Sequence, residues 1–90
     1  MTPALAARYT YAEIQALGKE GKAHKRKDGK YNFPIVDRRD LLDAILAVGG
    51  TGAGERFSVK RWIVYRARLL GMKSDVPNPW IAEVGEAVTA

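Results

Sequence analysis

Four glycines among the six residues from Gly49 to Gly54 separate two segments of this 90-residue chain that both have helical periodicity. Glycine weakens a helix and permits backbone conformations that other residues avoid, so a run of this kind interrupts regular structure. A phosphate-binding loop is excluded, because no Lys-Ser/Thr pair follows these glycines and no strand precedes them. The sequence therefore predicts two helices joined by a flexible connector.

The segment before the connector has the pattern of an amphipathic helix. Asp37 is a favoured N-cap residue, and Asp40 stands three residues later, where a capping-box acid is expected. Gly49 and Gly50 are expected to end this helix. Its apolar side is predicted to contain Leu41, Leu42, Ile45, Leu46 and Val48, and its other side Arg38, Arg39 and Asp43.

The segment after the connector is predicted to form the longest helix, from Glu55 or Arg56 to about Leu70, ended by Gly71. Three polar or aromatic residues recur at helical spacing on its outer face. They are Arg61, Tyr65 and Arg68. The opposite face is predicted to be an apolar stripe of Val59, Ile63, Ala67 and Leu70. This stripe is widened by Trp62 and Leu69 on one flank and by Phe57 and Val64 on the other.

A shorter helix is predicted near the start of the chain. Thr10 and Glu13 have the spacing of a capping box, in which a hydroxyl and a carboxylate satisfy each other's backbone N–H groups. Apolar residues continue at helical spacing to Leu17, and Gly18 is expected to end the helix.

A basic β-hairpin is predicted after this helix. The pair Asp28-Gly29 favours a tight turn in which both central residues have positive φ. The strands are expected at 23–26 and 30–33. Because an isolated two-stranded ribbon is only marginally stable, it must pack on the helices.

The patterns together predict a mainly helical α+β domain with three helices, a short basic hairpin between the first and second, and a closing Pro-x-x-Trp segment, residues 77–80. Residues 1–9 are predicted to be an arm, 10–80 a single domain, and 81–90 a tail in which Asn78 and Pro79 favour one or two helical turns. The predicted core comprises Leu17, Phe33, Ile35, Leu41, Leu42, Ile45, Leu46, Val59, Trp62, Ile63, Leu70 and Trp80.

Charge and composition narrow the functional classes. Fifteen Lys and Arg oppose ten Asp and Glu, and residues 1–36 carry seven of the cations but only three of the acids. This asymmetry favours contact with an anionic partner, and nucleic acid, an acidic protein surface and plain solubility would each account for it. The absence of cysteine excludes disulfides and thiolate chemistry. The short apolar runs and the lack of a leader pattern favour a soluble, cytosolic protein.

No catalytic or metal site is predicted, and neither is a cofactor. The only histidine, His24, has no carboxylate nearby in sequence to orient it, and Ser58 and Ser74 have no neighbouring base. A row of three aspartates could line one helix edge as metal ligands, but complementing the helix dipole explains it better. The row is Asp37, Asp40 and Asp43. The chain is therefore expected not to be an enzyme.

The order of motifs from Tyr31 to Trp80 resembles a small domain that recurs in proteins of tailed, mainly actinobacterial, phages and prophages. The matching elements are Phe33-Pro34-Ile35, Asp40-Leu41 through Ala44-Ile45, Gly49, Arg66-Ala67-Arg68-Leu69-Leu70-Gly71 and Pro77-Asn78-Pro79-Trp80. A histidine common in the basic helix of that family is Trp62 here, and the connector is richer in glycine.

The family has no settled biochemical function, but it occurs alone and within head-maturation protease and capsid-related products. The resemblance therefore implies a non-enzymatic accessory protein of the phage head or its assembly, located in the virion or the cytoplasm of the infected host. Its partners would be phage structural proteins, with no membrane or small-molecule substrate. The residues expected to anchor such a partner are the apolar Trp80, Ile81 and Val84.

The alternative is a small DNA- or RNA-binding protein made during infection. Its candidate contacts combine cations with aromatic rings that can stack on bases. The connector is longer than the turn of a helix-turn-helix, so sequence-specific reading is not expected. The basic hairpin and the terminal segments are predicted to contribute more to binding than the outer face of the long helix. The candidate residues are Lys22, Lys25, Arg26, Lys27, Lys30 and Tyr31 on the hairpin, and Arg61, Tyr65 and Arg68 on the helix.

Overall fold

The computed structural model describes residues 8–89, with side chains described to Gly85. Four α-helices and one two-stranded antiparallel sheet lie between Tyr11 and Thr89, so the predicted mainly helical α+β class is confirmed and the count of three helices is wrong. In chain order they are α1 (Tyr11–Lys19), β1 (His24–Lys25), β2 (Tyr31–Asn32), α2 (Arg38–Ala47), α3 (Ala53–Leu69) and α4 (Asn78–Thr89). Single 3₁₀ turns follow α2 (Val48–Gly50) and α3 (Lys73–Asp75).

Helix α1 begins as predicted and ends later than predicted. Both hydrogen bonds of the Thr10–Glu13 capping box are present. The helix continues through Gly18, and Gly21 ends it, with a φ of 80° and hydrogen bonds from the Gly21 and Lys22 N–H groups to helix carbonyls. The prediction for Gly18 was wrong because that glycine has a packing role. A Cβ there would lie 2.0 Å from Cγ of Tyr31, so the ring occupies the space a side chain would need.

The hairpin forms at the predicted place with shorter strands. His24 pairs with Asn32 and Lys25 with Tyr31. Only Gly29 of the predicted turn pair has positive φ, at 87°, so the turn with two positive φ values is not the one formed. The N–H of Arg26 instead donates to the carbonyl of Lys30 across a three-residue loop, a common solution with glycine in the left-handed region.

The segment after β2 is fixed to α3 by two long side chains. Phe33 and Ile35 are buried, and their carbonyls accept hydrogen bonds from Trp62 and Arg66 respectively. Arg66 donates twice, from Nε at 3.0 Å and from Nη2 at 2.8 Å. Its burial was not predicted, because an arginine interrupting an apolar stripe is ordinarily assigned to solvent. The fork of donors satisfies a buried carbonyl that no helix or strand partner reaches.

Helix α2 has the predicted cap and a different buried face. The Asp37 side chain accepts the N–H of Asp40, as an N-cap does. Leu42 and Leu46 were predicted in the core but are 38% and 81% exposed. The small side chains of Ala44 and Ala47 are buried instead. The buried residues of this region are Asp40, Leu41, Ala44, Ala47 and Val48, with Ile45 partly buried.

Helix α3 contributes more residues to the buried core than any other single element. It begins two residues before Glu55 and ends at Leu69, and Gly71 terminates it with a φ of 71°. The predicted stripe is confirmed, since Val59, Ile63 and Ala67 are completely buried and Leu70 packs against the core. Of the other predicted core residues, Phe33, Ile35 and Leu41 are buried, while Leu17, Ile45, Trp62 and Trp80 are partly buried.

The fourth helix begins inside the Pro-x-x-Trp motif. The N–H groups of Trp80 and Ile81 both donate to the carbonyl of Pro77, so the turn expected from Asn78 and Pro79 continues into a twelve-residue helix. Val84 is buried against the core, and Trp80 and Ile81 pack beside it. The C-terminal segment is therefore helical, and it packs on α3.

Candidate nucleic-acid interface

A hydrogen-bonded chain of three side chains attaches the hairpin to α3. Nδ1 of His24 lies 2.6 Å from Oδ1 of Asn32, and Nε2 lies 2.8 Å from Oγ of Ser58. An amide oxygen only accepts, so Nδ1 donates to Asn32, and Nε2 shares the second hydrogen bond with the serine hydroxyl. No orienting partner was predicted for His24, which is only 5% exposed. The partners come from the facing strand and from a helix 34 residues away.

These three residues have the order of a nucleophile, a base and an orienting group, but the backbone around the serine does not offer free N–H groups. Ser58 lies within α3, where backbone N–H groups are already bonded to the preceding turn. They cannot serve as the oxyanion donors that such reactions require. We therefore interpret the three residues as a clamp that holds the hairpin on α3, and call them the His24 clamp.

The clamp places the basic hairpin beside the outer face of α3. Nζ of Lys27 lies 4.0 Å from the position of a Cβ on Gly54, in the first turn of the helix. From Gly54, positions 58, 61, 65 and 68 recur at intervals of four and three residues and share one face. Lys27, Arg61 and Arg68 therefore lie along one line, which we call the basic strip. It extends for about 21 Å along α3.

An open groove of about 500 Å³ follows the same face. Tyr65 is 55% exposed within it, and its ring centroid lies 6.0 Å from that of Trp62 at an interplanar angle of 36°. Val84 of α4 contributes to the opposite side. The groove thus combines two aromatic rings with the two arginines of the basic strip. Its lining residues are Ser58, Arg61, Trp62, Val64, Tyr65, Arg68 and Val84.

The basic strip carries charge that the described part of the chain does not neutralise. Within residues 8–85, Lys27, Arg61 and Arg68 form no ion pair, and neither do the exposed Lys25 and Lys30. The two remaining hairpin candidates are partly neutralised, with Lys22 at 3.3 Å from Glu20 and Arg26 at 3.4 Å from Asp28. The strip is therefore free to pair with external anions.

The remaining candidate residues lie away from this groove or within the core. The ring of Tyr31 covers Gly18, and its backbone N–H and carbonyl bind the Gln15 side chain, so the residue links the hairpin to α1. Of the proposed apolar anchor, Val84 is buried and Trp80 and Ile81 are partly buried. That these residues bind a partner stays a prediction, and only the exposed parts of Trp80 and Ile81 are accessible for such a contact.

The end of the predicted arm is bound to the start of α2. Arg8 donates to Asp37 at 3.0 Å and to Asp40 at 2.5 Å, and the Tyr9 hydroxyl donates to Asp40 at 2.7 Å. The hydrogen bond from Arg8 holds the pKa of Asp37 below its usual range. Burial, reinforced by the bond to Asp40, raises the pKa of Tyr9 to about 12. The other residues of the predicted arm, 1–7, lie outside the described residues.

The three aspartates that were considered as metal ligands do not act as one group. Asp37 and Asp40 both pair with Arg8, and one carboxylate oxygen of Asp43 is buried with no hydrogen-bond partner among the described residues. No group of three or more His, Cys, Asp or Glu placed to hold a metal ion occurs in the described part of the chain. None of the described helices combines the length and apolarity needed to cross a membrane.

Comparisons with known proteins give no further assignment. No family model matches the sequence, and neither the curated proteins nor the solved structures contain a significant match. The basic strip and its groove are therefore the features from which function is inferred.

Proposed function

We propose that this protein is a non-enzymatic nucleic-acid-binding protein that contacts phosphates through its basic strip. The observation that carries the proposal is the position of Lys27 over Gly54, which aligns the hairpin with Arg61 and Arg68 on one face of α3. Cations that have no internal partner gain most from an external phosphate, because no existing ion pair must be broken. Binding releases counterions from the nucleic acid, which drives association at low salt.

The same surface favours contact with the backbone over the reading of base sequence. Sequence is read when side chains such as arginine or asparagine reach the base edges, normally from a helix that enters the major groove. Here Nζ of Lys27 lies 4.0 Å from the Cβ position of Gly54, so a cation of the hairpin stands beside the first turn of α3, the end of the helix that would have to enter a groove. The strip therefore supports affinity with little sequence preference.

The test compares two variants that each lose the same charge. In the strip variant, Lys27, Arg61 and Arg68 are changed to Gln. In the control variant, the same change is made at three exposed cations on α1, α2 and another face of α3, which are Lys19, Arg39 and Arg56. Binding to a fluorescent oligonucleotide is measured by anisotropy over a series of salt concentrations.

The strip variant should lose most of the affinity, and the slope of log K against log [salt] should fall by roughly 0.7 to 0.9 for each cation that contacts a phosphate. The control variant should change the slope by much less. Equal slopes for the two variants, or no binding by the unchanged protein at low salt, would refute the proposal.

A second candidate function is the one implied by the resemblance, an accessory protein of a phage head that acts through protein–protein contacts. The observation that favours it is the pair of exposed leucines on α2, Leu42 and Leu46. They stand one helical turn apart and so form a joint apolar surface, which soluble proteins commonly use for association. The proposed partner is a phage structural protein.

Protein identification by mass spectrometry on purified particles and on proheads tests this second candidate. The chain should be found in at least one of the two, and changing Leu42 and Leu46 to Gln should remove it while leaving the fold intact by circular dichroism. Absence from both preparations would refute an assembly role.

A further inference from the structure

We infer that the groove beside the basic strip takes a single-stranded nucleic acid, with one base stacked on Tyr65. The inference rests on the proposed function and specifies its ligand. It is carried by the two aromatic rings in the groove, which a surface that only attracted phosphates would not need.

The aromatic surface is held in place before any ligand binds. Nε1 of Trp62 donates to the carbonyl of Phe33 at 2.9 Å, and the Arg66 guanidinium lies 5.7 Å from the centre of the Trp62 ring. Trp62 is thus fixed from two directions, and it supports the more exposed ring of Tyr65. Because Trp62 is already ordered, it loses little conformational entropy when a ligand occupies the groove beside it.

The charges stand where the phosphates on either side of a stacked base would be. Arg61 precedes Tyr65 by four residues and Arg68 follows it by three, so the Cα atoms of the two arginines lie about 6 and 4.5 Å along the helix axis on either side of that of Tyr65. A groove of about 500 Å³ is within the range of pockets that hold small organic ligands, and a base with its sugar is of that class.

Single strands fit this arrangement better than duplexes. In a duplex the faces of the bases are covered by their neighbours, so Tyr65 would meet only the backbone or a base edge. In a single strand the base faces are accessible, and stacking on an aromatic side chain is a sequence-tolerant source of affinity. Stacking and phosphate pairing then act together on one strand, whether it is DNA or RNA.

The test changes the aromatic ring and keeps the charges. Tyr65→Leu removes stacking but keeps an apolar side chain, Tyr65→Phe retains the ring, and Tyr11→Leu is the matched control at another exposed tyrosine, which does not line the groove. Affinities are measured at one salt concentration for single-stranded DNA, single-stranded RNA and a blunt duplex with equal phosphate number. Inorganic polyphosphate serves as a probe with charge and no bases.

We expect Tyr65→Leu to weaken binding of either single strand by on the order of tenfold, since stacking of a base is worth roughly 1–3 kcal/mol. Polyphosphate and duplex affinity should change by less than about twofold, and Tyr65→Phe and Tyr11→Leu should bind normally. In a Trp80→Phe background Trp62 is the only tryptophan, and its fluorescence should change on addition of single strands but not of polyphosphate.

Two outcomes overturn the inference in distinguishable ways. If Tyr65→Leu leaves single-strand binding unchanged, or lowers binding of polyphosphate equally, the groove is not a stacking site although the proposed phosphate contacts stand. If the unchanged protein binds none of the four probes at low salt, the proposed function fails and the inference fails with it. Thermal melting of every variant separates loss of contact from loss of fold.

Discussion

The imidazole of His24 on the hairpin lies 2.8 Å from the hydroxyl of Ser58 on α3. This contact joins two parts of the chain that local sequence patterns do not connect. It fixes the position of the basic hairpin relative to the arginines of α3, so the continuity of the basic strip depends on it.

The first prediction concerns the contribution of this contact to stability. Ser58→Ala should lower the free energy of unfolding by about 0.5–1.5 kcal/mol, the usual net value of one hydrogen bond. In a His24→Ala background the same change should be neutral or slightly stabilising, because alanine is the better helix former. Urea unfolding of the four proteins of this cycle measures the difference. Equal effects of Ser58→Ala in both backgrounds would show that the two side chains are not coupled.

The second prediction contrasts two glycines that both lie in helices. Gly18→Ala should destabilise the protein by about 1–3 kcal/mol, because the new Cβ would fall within the ring of Tyr31 and displace the hairpin. Gly54→Ala should instead stabilise it by up to about 1 kcal/mol, since its Cβ meets nothing closer than the Lys27 ammonium at 4.0 Å.

Urea midpoints of the two single variants check this contrast. A stabilising effect of Gly18→Ala would mean that the Tyr31 ring does not occupy that space. A destabilising effect of Gly54→Ala would mean that the hairpin lies closer to the first turn of α3 than the 4.0 Å between Nζ of Lys27 and the Cβ position of Gly54.

The third prediction is the acid dependence of the contact between Arg8 and Asp37. Because the pKa of Asp37 is below its usual range in the folded protein, its stabilising contribution is present above its unfolded pKa of about 3.9 and is lost as the pH falls through the lower folded value. Asp37→Asn keeps a residue that can cap α2 but removes the charge.

Unfolding free energies measured from pH 7 down to pH 2 test this sign. Asp37→Asn should be less stable than the unchanged protein at pH 7 by less than about 1 kcal/mol, because the pair is largely exposed. The difference should shrink below pH 4. Parallel curves over the whole range would show that the ion pair contributes nothing.

Several features decided by neighbouring residues were predicted correctly from the sequence, although the type of turn at Asp28-Gly29 was not. The capping box at Thr10, the N-cap at Asp37 and the helix end at Gly71 each depend on hydrogen bonds within one or two turns. The centre of the buried stripe of α3 was also correct, because its apolar residues recur at helical spacing, whereas Phe57 and Leu69 on its flanks are exposed and Arg66 is buried.

Features decided by distant packing were not predicted. Leu42 and Leu46 were assigned to the core by size, whereas the approach of α3 selects Ala44 and Ala47. Gly18 was assigned as a helix end because nothing in the local sequence shows that Tyr31 packs on it.

The prediction of the candidate site also succeeded for local features and failed for features that depend on distant packing. Its exposed α3 residues were predicted from spacing. The prediction that the hairpin contributes more to binding than α3 treated the two as separate surfaces. Because Lys27 lies beside Gly54, the hairpin and the outer face of α3 form one surface. The His24 clamp that joins them depends on tertiary contact over 34 residues.

The last prediction follows from the length of the basic strip. Gly54 and Arg68 are fourteen residues apart on one helix, so the strip extends for about 21 Å. Because successive phosphates of one strand are at least about 3.4 Å apart, roughly four to six nucleotides cover it. Affinity for oligonucleotides of increasing length should therefore rise steeply to about six nucleotides and then level off. In Lys27→Gln the plateau should come at a shorter length, because the end of the strip nearest the hairpin is lost, whereas Lys19→Gln should keep the original plateau. A steep rise that continues beyond about twelve nucleotides would contradict this, since it would require cations well outside the line from Lys27 to Arg68.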